Sequence, residues 1–307
     1  IGSLPQKCWP KDAAKNNRNG KPPWRKFYPI GRARLIDKWA IWEQSKVTLR
    51  ERKMSAAEEI KNVQDMVSAE EWQLRVDLAA TYRLVAMYGW DDMIFTHISV
   101  RVPGPEHHFL INPYGMLFEE ITASSLVKID LEGNIVMDSP YFVNPAGFTI
   151  HSAIHSARED AQCVLHLHTD DGMAVASQEE GLMPLSQMAM LVRSHLAYHD
   201  YEGVALDLDE RERLIADIGD SKVMLLRNHG TLAVGETCGL AFMAIYFLER
   251  ACTAQIRTLS GTPNMPSAQA IETVNGQSAS LFQPGVDALA WPALLRKLDR
   301  MDPSFRD

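Results

Sequence analysis

Residues Cys163-Val164-Leu165-His166-Leu167-His168 read as an apolar strand ending on two histidines one residue apart. Strand side chains alternate between faces, so His166 and His168 point the same way from one strand end. A third histidine, His229, precedes a glycine in Leu226-Arg227-Asn228-His229-Gly230. Two parallel imidazoles joined by a third from a second strand end would offer three nitrogens to a divalent metal. Coordination positions would remain open for water or substrate. Half-buried strand histidines without a metal are the competing reading, because H-x-H is short and has many chance matches.

The chain has 307 residues, 46% of them hydrophobic, enough for one large core or two modest ones. No apolar run approaches the ~20 residues of a membrane span, and the N-terminus lacks a secretory pattern. Cys8, Cys163, Cys238 and Cys252 form no CxxC pair, and three lie in apolar stretches, as buried free thiols do. The expectation is a reduced, cytoplasmic protein. Residues 1–53 hold 14 of the 31 basic and 4 of the 39 acidic residues, net about +10, leaving about −18 on the remainder. An acidic body argues against nucleic acid as partner. Residues 1–67 read as a basic, poorly structured leader with five prolines. Met54 would make a natural start for the protein.

Ser68-Ala69-Glu70-Glu71 is a capping box ahead of an apolar helical stripe from Trp72 to Met87 that ends at Gly89. Strands are expected over 94–101 and 108–112, around the turn Val102-Pro103-Gly104-Pro105, and over 127–131 after a short helix at 122–126. Further helices are expected over 146–158, 170–177, 207–218 and 237–259, with strands at 222–227 and 231–234. The body, 68–260, reads as one alternating domain, and 261–307 as a tail with a terminal helix near 287–300.

Four motifs follow in order: Phe95-Thr96-His97-Ile98-Ser99-Val100-Arg101, Leu110-Ile111-Asn112-Pro113-Tyr114-Gly115, the His166/His168 pair, and Arg227-Asn228-His229-Gly230. Together they resemble the class II aldolase/adducin superfamily across most of 70–260. Asn144-Pro145-Ala146-Gly147-Phe148, His151-Ser152-Ala153-Ile154-His155 and the segment Glu120 to Lys128 resemble its adducin-like, head-domain branch. The resemblance implies an α/β fold, a three-layer α/β/α sandwich around a central, largely antiparallel mixed sheet. It also implies a homotetramer with sites between subunits, and a metal, zinc or else manganese, on His166, His168 and His229.

Departures from the family pattern narrow the chemistry. The glutamate that serves the sugar-phosphate aldolases falls on Gly147, and their paired serines fall on Pro145 and Ala146. His97 replaces the asparagine of the Gly-Asn phosphate motif, and the tyrosine acid falls near Met188. A buried phosphate without donors would be costly, so a non-phosphorylated hydroxy-acid or aromatic acid is the expected substrate. The expected reaction is carbon–carbon cleavage of aldolase or decarboxylase type, with His97 and His151 as candidate catalytic residues and Asp170 or Tyr114 behind them. Duller roles compete: His151 as a packed helix residue, His97 as core, Asp170 as an N-cap. His107 and His108 read as solvated, and His195 and His199 as structural. Asn228 is a candidate second partner of the third ligand. Arg101 and Arg193 could meet a substrate carboxylate, surface ion pairs being the alternative. A non-catalytic adducin-like scaffold that keeps a metal is the other functional class. Against it stands the absence of adducin's neck and lysine-rich tail, since the chain ends soon after the domain.

Overall fold

The computed structural model describes residues 63–203 and 209–307, with the backbone alone at 145–149. The expected leader thus lies outside the described residues, apart from one helical turn, α1 (Val63–Met66). Ser68 starts α2 (Ala69–Tyr88) by accepting the Glu71 amide at 3.1 Å, and Gly89 ends it at φ 66°. The reciprocal half of the expected capping box is replaced. The buried Glu71 carboxylate instead takes the Arg75 guanidinium at 3.0 Å and the Lys128 ammonium at 2.8 Å.

Seven strands follow: β1 (His97–Arg101), β2 (Phe109–Ile111), β3 (Val127–Ile129), β4 (Cys163–Leu167), β5 (Leu196–His199), β6 (Val223–Leu226) and β7 (Gly230–Gly235). They form one sheet in the order β3-β2-β1-β4-β7-β6-β5. Every pairing is antiparallel except β5 with β6. The helices are α3 (Pro145–Ala157), α4 (Asp170–Ala176), α5 (Gln187–Arg193), α6 (Glu210–Ile218), α7 (Cys238–Thr258), α8 (Ala268–Gln277) and α9 (Ala290–Met301). Alternation divides the strands between two cores. Ile98, Val100, Cys163, Leu165, Leu167 and Ala233 pack against α2 and α7. Val164, Met224, Leu226, Leu232 and Val234 pack against Ile150 and Ile154 of α3 and Leu214 and Ile218 of α6. The result is the expected three-layer α/β/α sandwich with a largely antiparallel sheet. Among the described residues, no helix is long and apolar enough to cross a membrane.

Several elements differ from expectation. Residues 122–126 turn rather than form a helix, because Thr122 and Ser125 exchange side-chain and backbone hydrogen bonds at 3.0 and 3.3 Å. The helices α5 and α8 and the edge strand β5 were not anticipated. The segment after 260 packs onto the body: Phe305 is fully buried, and the amides of Ala123 and Ser124 donate to the carbonyls of Phe305 and Asp307.

Candidate active site

The β1–β4 register pairs His97 with His166, so both side chains lie on the face covered by α3. His168 follows two residues later at the mouth of β4. The β6–β7 hairpin brings His229 to the same point, its amide donating to the Leu226 carbonyl at 3.0 Å. Asn228 takes the left-handed turn position at φ 55°, a conformation asparagine tolerates. It is solvent-exposed and its contribution here is backbone shape. At Gly230, a Cβ would collide with the Leu167 carbonyl and lie within 3.1 and 3.2 Å of the His168 and His166 rings. Only glycine lets the strand bearing the third histidine approach the first two so closely. The three rings meet with centroids 4.8 to 4.9 Å apart, and one nitrogen from each falls within 4.8 Å of the others.

Hydrogen bonds fix which nitrogens are free. His166 Nδ1 lies 3.0 Å from the Thr231 carbonyl, which can only accept, so Nδ1 carries the proton. His168 Nδ1 donates to Asp92 Oδ2 at 3.0 Å. Where both rings are neutral, both Nε2 atoms are bare and face each other at 3.0 Å. In that state two lone pairs oppose each other, a contact that a shared proton or a shared metal cation would relieve. Tetrahedral nitrogen ligands at ~2.0–2.1 Å from zinc stand roughly 3.3 Å apart. Burial, then the neighbouring histidines, holds His166 well below the usual imidazole range and lowers His229 to about 4. Neutral imidazoles are the metal-binding form. The residues present fit a divalent ion.

Beside this trio lies a second group of histidines. His97 is 5% exposed, and neither ring nitrogen has a hydrogen-bond partner. Burial, then His168, lowers it to about 4. His151, on α3, is 2% exposed; its Nδ1 meets Ser99 Oγ at 2.7 Å while its Nε2 is unpartnered. Ser99 Oγ also meets His155 Nε2 at 2.7 Å, and His155 Nδ1 reaches the Ala161 carbonyl at 2.9 Å. Buried donors and acceptors are ordinarily satisfied, so orphaned imidazoles next to a ligand set mark a place where something binds.

The remaining candidates resolve differently. Thr169, not Asp170, caps α4, accepting the Gly172 amide at 3.0 Å. Tyr114 packs on Phe142 with centroids 5.7 Å apart. Arg101 donates to the His155 carbonyl and to His107, which is exposed as expected, and Arg193 donates to the Leu182 carbonyl. His195 bonds the Ser278 carbonyl, and His199 is held between Asp217 and Glu210, both structural as expected. Met188 is half-buried against the larger core. Gly147 lies in the first turn of α3. Sequence reasoning missed Asp92, the Thr231 carbonyl and the Ser99–His155 link. The i to i+4 spacing of His151 and His155, and the shared face of His97 and Ser99, were the only available signals for the last.

Comparison with known proteins identifies the family and the fold. Residues 76–256 match the family model described as Class II Aldolase and Adducin N-terminal domain. A Caulobacter vibrioides protein of aldolase class 2 type is 59% identical over 243 residues, covering 78% of this chain and 95% of its own. Rat alpha-adducin is 47% identical over 190 residues, 61% of this chain but only 26% of that protein. The crystal structure of an aldolase II superfamily protein from Pseudomonas syringae superposes with TM-score 0.77 at 50% identity, covering 80% of this chain and 100% of that one. L-fuculose 1-phosphate aldolase from Glaciozyma antarctica PI12 gives TM-score 0.67 at 26% identity, covering 78% and 94%. With its histidine trio at the mouth of a matching sheet, the chain belongs to the class II aldolase and adducin N-terminal domain family.

Proposed function

We propose that the protein is a metal-dependent lyase that cleaves a carbon–carbon bond, in aldolase or decarboxylase fashion, in a small non-phosphorylated hydroxy-acid or aromatic acid. The observation that carries this reading is the meeting of three imidazoles, with the Nε2 atoms of His166 and His168 facing each other at 3.0 Å beside His229. When bound there, a divalent ion, zinc in the first instance and manganese as the alternative, supplies Lewis acidity to a chelated substrate oxygen. The chain's own contribution is to turn the His166 and His168 rings through Thr231 and Asp92, and to hold His166 and His229 neutral by burial. His97 and His151 are the groups available for proton transfer, since both are buried and neutral and each has an unpartnered ring nitrogen. Pro145, Ala146 and Gly147 stand where the sugar-phosphate aldolases carry polar side chains, which supports a substrate without phosphate. The family also supports a homotetramer, and three buried cysteines outside any disulfide among the described residues support a cytoplasmic protein.

Zinc and manganese analysis of the purified protein, followed by a screen for carbon dioxide or aldehyde release from chelating acids, tests the reading. His166→Ala is expected to lose most bound metal, along with any turnover, while keeping its fold by circular dichroism. Full metal occupancy in that variant would remove His166 from the ligand set. The 47% identity to alpha-adducin favours one other reading, a non-catalytic adducin-like scaffold with a retained metal. Stoichiometric metal with no turnover on any chelating acid would favour that scaffold.

A further inference from the structure

The hydrogen bonds behind His151 run in one direction. The Ala161 carbonyl can only accept, so His155 Nδ1, 2.9 Å away, carries a proton. Burial, then Arg101, lowers His155 to about 3, so the ring is neutral and its Nε2 can only accept. The Ser99 hydroxyl, 2.7 Å from that nitrogen, must donate to it. Ser99 Oγ is then left to accept at 2.7 Å from His151 Nδ1, which must carry the proton. What remains on His151 is a bare Nε2, fully enclosed and unpartnered, beside His97 and on the face of the sheet that carries His166.

We infer that the chain from Ala161 through His155 and Ser99 locks His151 as a proton acceptor, so the substrate group seated against it is a hydroxyl and not a carboxylate or phosphate oxygen. This rests on the proposed lyase site and narrows its substrate to a hydroxyl-bearing chelator, such as an α-hydroxy acid or a hydroxy-carbonyl compound. A hydroxyl donates to the bare nitrogen, whereas an anionic oxygen opposes its lone pair with a second one. When the substrate is deprotonated, its O–H bond breaks, the proton forms Nε2–H, and the electron pair stays on the substrate oxygen. The imidazolium so formed is held through its Nδ1–H by Ser99. Ser99 and His155 are positioning residues, because they act only through His151.

Two measurements test the assignment. Long-range proton–nitrogen spectra of the wild-type protein are expected to show His151 protonated at Nδ1; protonation at Nε2 would overturn the inference. The second compares glycolate and oxalate, two small oxygen chelators of which only glycolate carries a hydroxyl, titrated calorimetrically into zinc-loaded protein. Ser99→Ala frees the His151 ring to change tautomer, so it should weaken glycolate about tenfold while oxalate binds as before or tighter. Equal changes for both ligands, or no change for either, would overturn it. The spectra can also be read on metal-free protein. A chain that bound no zinc would therefore sink the lyase reading while the tautomer still decided this one.

Discussion

Thr96 holds a strained backbone position immediately before His97. Its φ of 64° is a conformation that a β-branched side chain rarely adopts, and its buried hydroxyl has no hydrogen-bond partner. Thr96→Gly is expected to raise stability by about 1 kcal/mol in urea unfolding, relief of strain exceeding the added chain entropy of glycine. An equally large loss would show that the turn is not strained. At this scale the sequence was informative where chemistry is local. His166, His168 and His229 are legible because strand alternation and a turn glycine place them without knowledge of the rest. Asp92, 76 positions from the imidazole it orients, carries no such local mark. Neither does a backbone carbonyl such as that of Thr231. His97 and His151 were legible as candidates, but only burial without partners separates them from ordinary core histidines.

Among the elements, α7 does more than cover the sheet. Its Glu249, 1% exposed, accepts from Thr169 at the start of α4 and from Thr231 on β7, each at 2.5 Å. One buried carboxyl thus ties the helix to the segments carrying His168 and His229. Burial pushes it up to about 7 from an ordinary 4.5. Because the folded value is the higher one, the folded protein binds this proton more tightly than the unfolded chain. The stabilisation is complete below about pH 4.5 and is lost as pH rises through 7, on the order of 3 kcal/mol in all. Glu249→Gln keeps both hydrogen-bond positions and removes the titration. Urea unfolding from pH 5 to 8 should therefore show wild type losing stability relative to the variant as pH rises. Parallel profiles would refute the linkage. The long helix and the β4 and β6–β7 strands were legible from periodicity and apolar runs. Residues 122–126 were misread because two short hydroxyl side chains compete with the helix for backbone amides. The strand β5 hid its period: Leu196, Ala197, Tyr198 and His199 join the sheet edge by parallel pairing with β6, which local sequence does not announce.

For the whole molecule, the rim of the histidine trio is more apolar than a monomer in water would need. Met93 and Phe95 are 61% and 39% exposed beside Asp92, and Tyr201 is 53% exposed with its ring 6.3 Å from His229. Singly such residues are ordinary; three around one site describe a surface suited to another subunit. His168 and His229 are themselves only half-buried in the single chain, so a neighbour would complete their seclusion from water. Light scattering on the full chain is expected to give four times 34.5 kDa at micromolar concentration. A stable contact requires roughly 1,000 Å² or more of buried surface, and a charge at its apolar centre costs several kcal/mol in association. Tyr201→Asp should therefore shift the mass toward smaller species. Its bound metal should stay near wild type, because the phenol belongs to none of the ligands. A wild-type mass of one chain would refute the tetramer, and a Tyr201→Asp tetramer would place the interface elsewhere than on this rim.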